Sequence, residues 1–232
     1  MSEMVNKKNA VVIGGTGGIG RAVAQMLREH GANVIATGRT RGDIVLDFEQ
    51  IALGDLEQTE AGRALLCAVQ NADIVCLCYG PFVQKSLAET TVADWERVAR
   101  LDYALAGFLA SRALSGMMSR RFGRIILFGG TRTDCIRAYR TNAAYAGAKT
   151  AVCVLTKSLA AEGAPFGITA NAVLPGFVDT EYLSEDTKAV LKAKMPLNTL
   201  IEPNEIARAV LFLIESANAN GILLGLDGGW TT

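Results

Sequence analysis

The chain has 232 residues, half of them hydrophobic and a fifth charged, which suits one α/β domain with a substantial core better than two small domains. Its 23 Lys and Arg equal its 23 Asp and Glu. That balance excludes the basic excess of a nucleic-acid footprint and any broad attraction to anionic membranes.

Lys7 and Lys8 precede only a short apolar run, Ala10–Ile13, too short for a signal-peptide core or a spanning helix. No later apolar stretch is long enough to span a bilayer, so a cytoplasmic protein with no membrane partner is expected. Ala10–Ile13 reads as a first strand, and Ile19–Glu29 as a helix with Ala22, Val23, Met26 and Leu27 on one face. His30, the only histidine, and Gly31 suit that helix's carboxyl end, so His30 is given no catalytic role. Strands at Asn33–Thr37 and Ile44–Leu46, a helix near Thr59–Gln70 and a strand at Ile74–Cys78 come next. Only Gly38–Asp43 joins the second strand to the third, where a parallel crossover normally takes a dozen residues or more. A taut loop is expected there, not a helix. Asp94–Met118 reads as one long helix with a capping-box-like start at Thr91 and Asp94. Strand Arg124–Phe128, helix Ala143–Glu162, strand Thr169–Leu174, helix Glu205–Glu215 and strand Ile222–Leu226 follow. This alternation implies an α/β doubly wound parallel sheet of about seven strands with helices on both faces. The cysteines, Cys67, Cys76, Cys78, Cys135 and Cys153, lack regular spacing and read as buried reduced thiols, and no metal site is expected.

Residues 13–20 read IGGTGGIG, directly after the first strand and into a helix. Glycines there allow a tight turn, close approach of backbone N–H groups to a pyrophosphate, and close packing of helix on sheet. Two registers fit: Gly15, Gly17 and Gly20 as G-x-G-x-x-G, or Gly14, Gly18 and Gly20 as G-x3-G-x-G. The context marks a single-domain Rossmann fold over residues 1–232. At the tip of the second strand an acid would hold ribose hydroxyls and repel a 2′-phosphate. The chain has Thr37-Gly38-Arg39-Thr40-Arg41 instead, so NADP (NADPH) is favoured over NAD, unless the arginines are simply solvated loop charges. Asp43 is the residue that could alter this if the taut loop turned it inward. Asp47, ending the third strand, is placed to hold the adenine amino group.

Tyr145 and Lys149 lie four apart on a helix and therefore share a face. A phenol is a poor acid at neutral pH, and a neighbouring ammonium stabilises its phenolate. Such a tyrosine can protonate a carbonyl oxygen as hydride arrives from a nicotinamide.

With these residues in view, the sequence resembles the short-chain dehydrogenase/reductase family, in its branch of roughly 250 residues, from residue 10 onward. Gly14, Gly18 and Gly20 match its cofactor loop, Asp73 heads the fourth strand, and Trp95, Arg97 and Val98 match its long helix. Tyr145 and Lys149 match its catalytic pair. Asn171, Pro175, Gly176, Val178 and Thr180 match its N-x3-PG-x-V-x-T segment. Glu202-Pro203, Glu205-Ile206-Ala207 and Asp227-Gly228-Gly229 match its last landmarks. The resemblance implies that Lys149 also holds the nicotinamide ribose, and that Val178 and Thr180 contact the carboxamide side. The expected cofactor site is Gly14, Thr16, Gly17, Gly18, Ile19, Gly20, Arg39, Thr40, Asp47, Phe48, Gly80, Tyr145, Lys149, Pro175, Gly176, Val178 and Thr180.

Three departures from the family pattern stand out. Its N-N-A-G is Leu77-Cys78-Tyr79-Gly80 here, and its active-site asparagine falls on Asp102. Its catalytic serine is missing. Counting from the fifth strand puts that position at Gly130; counting back thirteen residues from Tyr145 puts it at Arg132, so this loop is about two residues longer. Thr131 is the first candidate for the hydroxyl and Thr133 the reserve, or neither acts. Arg132, Arg137 and Arg140 share the loop and either bind an anionic substrate or stay solvated. Residues 181–200 are expected to cover the substrate, with Leu183, Val190, Leu191 and Met195 lining it or packing on the body. The expected activity is NADP-dependent reduction of a small carbonyl compound, or oxidation of an alcohol, by a homotetramer or other homo-oligomer. The alternative is a non-catalytic nucleotide-binding sensor or assembly subunit on the same scaffold.

Overall fold

A computed structural model describes residues 3–230. Seven strands form one parallel sheet in the order β3-β2-β1-β4-β5-β6-β7. They are β1 (Asn9–Ile13), β2 (Asn33–Gly38), β3 (Ile44–Val45), β4 (Ile74–Leu77), β5 (Gly123–Phe128), β6 (Ile168–Pro175) and β7 (Leu223–Leu226). The helices are α1 (Gly18–Glu29), α2 (Glu60–Asn71), α3 (Val92–Val98), α4 (Leu105–Arg120), α5 (Ala143–Gly163), α6 (Glu185–Lys194) and α7 (Pro203–Glu215). The molecule is a single α/β domain, and no helix among the described residues is long and apolar enough to cross a membrane.

Successive side chains of a strand point to opposite faces, and here each face has its own core. Val11, Ile13, Val75, Leu77, Ile125 and Leu127 pack with α2, α4 and α5. Ala10, Val12, Ile74, Cys76, Ile126 and Phe128 pack with α1 and α7. Fully buried side chains such as Ile13, Leu65, Leu109 and Ile125 each contribute about 1.5–3 kcal/mol of burial, set against the entropy of ordering the chain. The chain leaves β1 toward β2 on one side and reaches β4 on the other. The carboxyl ends of β1 and β4 therefore part and open a crevice, the usual ligand position in such sheets.

Three features bear on that crevice. The link between β2 and β3 is a loop, as its length requires. Asp43 in it accepts from Ala36 N–H at 2.8 Å and pairs with Arg28 at 3.3 Å, so it turns away from the crevice. The stretch expected as one long helix is broken. After the capping box of Thr91 and Asp94, α3 gives way to a π-helical segment, Ala99–Ala104, before α4 begins. A π-turn rotates the residues it contains, and such turns cluster at functional sites. This one delivers Asp102 to the interior. Lastly, residues 185–194 form a helix, α6, started by Ser184 accepting from Thr187 N–H, with no fully buried residue. Met195 and Leu191 pack on the body, whereas Val190 is exposed.

His30 caps α1, its Nδ1 2.8 Å from Met26 O. The expectation of buried thiols needs correction: Cys76 and Cys153 are buried, but Cys67, on the outside of α2, and Cys135, in the loop after β5, are exposed.

Candidate active site

The glycine loop leaves β1 through Gly14, whose φ of 74° is left-handed and whose N–H donates to the buried Thr37 hydroxyl at 3.0 Å. Gly20 lets α1 approach the sheet; a Cβ there would stand 2.2 Å from Gly14 O. α1 opens on Gly17 with no side-chain cap and no acid in its first turn. Its amino end therefore favours an anion, through free N–H groups and the helix dipole, and Gly18 N–H already donates to one, Glu181 Oε1, at 3.1 Å.

Beside this loop is a cavity of about 840 Å³. It is walled by Gly14, residues 16–20, 37–41 and 46–48, residues 78–81, Arg97 and residues 180–182. Thr16, Gly17, Gly18, Ile19, Arg39, Thr40, Asp47, Phe48, Gly80 and Thr180 from the sequence reading meet here. Sequence reasoning missed Tyr79, Arg97, Glu181 and Tyr182. The Tyr79 ring sits 5.2 Å from that of Phe48, and burial, with Glu49 and Asp47 nearby, pushes its phenol up to about 12. Arg97 grips Glu49 through Nε and an Nη at 2.6–3.0 Å. Arg41 donates to Thr16 O at 3.1 Å, tying the β2 loop to the glycine loop. Tyr145, Lys149, Pro175, Gly176 and Val178 lie outside the wall. Gly176 N–H pairs with Leu226 O, and Val178 is buried against Ile201.

At Gly80 the cavity meets a buried charged group. A Cβ on Gly80 would lie 2.1 Å from Asp102 Oδ1 and 3.0 Å from Lys149 Nζ, so only glycine fits. Lys149, one turn beyond Tyr145 on α5, places Nζ 3.0 Å from Asp102 Oδ1 and donates to Phe128 O at 3.1 Å. Both carboxylate oxygens of Asp102 are buried without a well-directed donor among the described residues. Nζ also stands 5.6 Å from the Tyr145 ring centroid, and Phe82 meets that ring edge-on at 4.9 Å.

Burial shapes the proton affinities. It pushes the Asp102 carboxyl up despite the pull of Lys149. It opposes the charged form of Lys149, yet Tyr145 and Asp102 together hold the ammonium above its ordinary value. The pair is asymmetric because the ammonium has a carboxylate, a phenol and a carbonyl around it, whereas the carboxylate has the ammonium and the weaker pull of Arg97, opposed by Glu49. For Tyr145, burial raises the phenol, Lys149 lowers it and Asp102 raises it again; the net direction is upward. The ammonium lowers the phenol as anticipated, while burial and the carboxylate work against it.

The hydroxyl question has a geometric answer. A Cβ on Gly130 would lie 3.2 Å from Tyr145 Cε1 and 3.5 Å from Lys149 Cγ. Gly130, the position counted from β5, thus faces the tyrosine, and the two extra residues bulge beyond it, with Arg132 at φ 64°. Thr131 Oγ1 donates to Asp227 Oδ2 at 3.3 Å. The buried Thr133 hydroxyl donates to Gly130 O at 2.8 Å and accepts from Gly130 N–H. Arg137 and Arg140 are exposed, and Arg132 is half-buried.

Residues 14–231 match a protein-family model described as enoyl-(acyl carrier protein) reductase. The chain is 34% identical over 237 residues to the 3-oxoacyl-(acyl-carrier-protein) reductase FabG of Vibrio harveyi, covering 96% of each chain. It is 32% identical over 241 residues to an acetoacetyl-CoA reductase of Synechocystis sp., covering 97% of each. A solved structure titled short chain dehydrogenase/reductase family protein superposes with a TM-score of 0.83 at 28% identity, covering 99% of this chain and 100% of that one. The chain belongs to the short-chain dehydrogenase/reductase family.

This short-chain dehydrogenase/reductase carries residues that fit a dinucleotide. The amino end of α1 suits a pyrophosphate, and Arg39, Thr40, Asp47 and Phe48 line the same cavity. Gly80 links that cavity to Asp102 and Lys149, and Lys149 Nζ stands 5.6 Å from the Tyr145 ring centroid. The site can bind a charged dinucleotide, hold one phenolic proton close to it, and stabilise the phenolate left when that proton departs.

Proposed function

We propose that the protein is an NADP-dependent oxidoreductase that reduces a carbonyl group to an alcohol, or runs the reverse reaction, with Tyr145 as general acid and base. The observation that carries the reading is Lys149, whose Nζ stands 5.6 Å from the Tyr145 ring centroid and against Gly80, a wall residue of the glycine-loop cavity. NADP is supported by Arg39 and Thr40 after β2 and by Asp43 pointing elsewhere, so that the β2–β3 loop offers arginine rather than an acid to a 2′-phosphate.

A bound reduced nicotinamide would supply the hydride. Tyr145 Oη gives its proton to the substrate oxygen, and Lys149 stabilises the phenolate and reaches the ribose. Asp102 and Phe128 O fix the ammonium, while Phe82 shields one side of the phenol from water. Thr131, next to the serine-equivalent Gly130, supplies the second donor by releasing Asp227. Pro175, Gly176 and Val178 hold Thr180 at the nicotinamide end, and residues 181–200 cover the substrate. The named activities of the relatives make a 3-oxoacyl thioester the first substrate to try. Arg137 and Arg140, in the loop between Gly130 and Tyr145, suit an anionic tail. Exposed Tyr103, Phe108 and Val154 on the α4 and α5 region support a homo-oligomer, either a tetramer or a dimer.

The test is NADPH oxidation by the purified protein with acetoacetyl-CoA and a panel of simple ketones. A second reading, a nucleotide sensor without turnover, draws on Gly130 in place of a hydroxyl residue and on Asp102 beside Lys149. NADPH binding with no reduction of any panel member would select it.

A further inference from the structure

The amides at the start of α1 already hold an anion from elsewhere in the chain. Gly18 N–H donates to Glu181 Oε1 at 3.1 Å, across 163 positions of sequence. The other carboxylate oxygen lies 3.4 Å from Arg21 on the same helix. Burial resists the charged carboxylate, but its own N–H, that of Gly18 and the charges of Arg21 and Arg41 hold it below its ordinary value. Tyr182 completes the contact. A Cβ on Gly17 would stand 1.8 Å from Tyr182 Oη, and one on Gly18 would stand 3.2 Å from Tyr182 Cε2, so the ring lies directly on the two glycines. Since α1 has neither a side-chain cap nor an acid of its own in its first turn, Glu181 meets a demand of the helix end that a ligand phosphate would also meet.

We propose that Glu181 competes with the ligand's phosphate for the amino end of α1 and so sets the affinity of the site for nucleotides. The inference rests on the dinucleotide reading above. The two anions cannot share one N–H, and their charges repel. Binding therefore requires Glu181 to leave, taking Tyr182 off the glycines. The chain that follows can give way, because α6 has no fully buried residue. Any ligand with a phosphate at this position must displace the same carboxylate. A dinucleotide and a simple diphosphate therefore bear the same penalty.

The test is titration of the wild type, Glu181→Gln and Glu181→Ala with NADPH and, separately, with ADP, by calorimetry, with circular dichroism confirming that each variant is folded. Both variants should bind both ligands about two- to fivefold more tightly, the usual weight of one charge at a helix amino end. The gain should be the same factor for NADPH and for ADP. Glu181→Gln keeps an acceptor for Gly18 N–H, so it should gain less than Glu181→Ala. If the wild type binds NADPH and the variants bind equally or more weakly, competition is overturned while the dinucleotide reading stands. A gain confined to NADPH also overturns it, since the penalty would then lie outside the phosphate. Absence of NADPH and ADP binding in all three proteins overturns both.

Discussion

Asp102 Oδ1 lies 3.0 Å from Lys149 Nζ, with side chains 0% and 6% exposed. The ammonium that should stabilise the phenolate of Tyr145 is thus shared with a buried carboxylate, and that carboxylate pushes the phenol's proton affinity up. Asp102→Asn removes the competing charge. The phenol's pKa should fall, and alcohol oxidation, which needs the phenolate as base, should reach half its plateau at a lower pH than in the wild type. A pH–rate profile of kcat/KM for NADP-dependent oxidation checks this. A midpoint that stays put or moves upward would show that Asp102 does not act on Tyr145.

Lys149→Met should stop turnover and also strand the Asp102 carboxylate in the interior, at a cost of about 3–5 kcal/mol. The folded-state pKa of Asp102 is already raised. Its relative contribution is therefore full below the unfolded value of about 3.9 and declines as pH rises through the folded value. Without the ammonium that pKa climbs further, so the variant's deficit should be smaller in acid than at neutral pH. Denaturant unfolding across pH reads the effect. Adding Asp102→Asn should recover stability but not activity.

Gly130 faces Tyr145 where the family has its serine, and Thr131 is one residue away with its hydroxyl on Asp227. If Thr131 supplies the second donor, Thr131→Val should lower kcat/KM by about 100- to 1000-fold, the usual cost of one such donor. Gly130→Ser on the Thr131→Val background should recover a large part of that loss. Gly130→Ala, the control for size, should not, because its methyl meets Tyr145 Cε1 at the same 3.2 Å as a serine Cβ would but donates nothing. Unchanged steady-state kinetics in Thr131→Val would remove Thr131 from the mechanism.

Much of this arrangement was legible in the sequence because it depends on local spacing. Tyr145 and Lys149 share a helix face at any four-residue interval, and the glycine loop follows a strand and opens a helix. The six residues of Gly38–Asp43 left no room for a helix between β2 and β3. What escaped depends on contacts distant in the chain. The π-helical turn at Ala99–Ala104 has no residue signature, so Asp102 could be matched by resemblance but its burial against Lys149 could not be read. The two counts for the missing serine gave Gly130 and Arg132, and spacing does not report that Gly130 is the one packed against Tyr145. The upward direction at Tyr145 follows from burial, which spacing does not report. Glu181 meets the glycine loop across 163 positions of sequence, a contact that local spacing does not report.

Arg39 lines the cavity with Thr40 and Asp47 at the end expected for the adenosine. A charge-assisted hydrogen bond to a phosphate is worth about 1.5–3 kcal/mol, so Arg39→Ala should weaken NADPH binding by about 10- to 100-fold. NADH binding should change little. Parallel fluorescence titrations with the two reduced dinucleotides measure it. Equal losses for both would mean that Arg39 does not meet the 2′-phosphate.

The most direct measurement is a pair of assays on Tyr145→Phe: NADPH binding, and NADPH oxidation with a substrate that the wild type reduces. Deleting one hydroxyl should leave the dissociation constant within about twofold while lowering kcat by about 100- to 10,000-fold, the range for a lost general acid. Turnover that survives in Tyr145→Phe at the wild-type rate would contradict the assignment of the proton to Tyr145, and with it the account of the site.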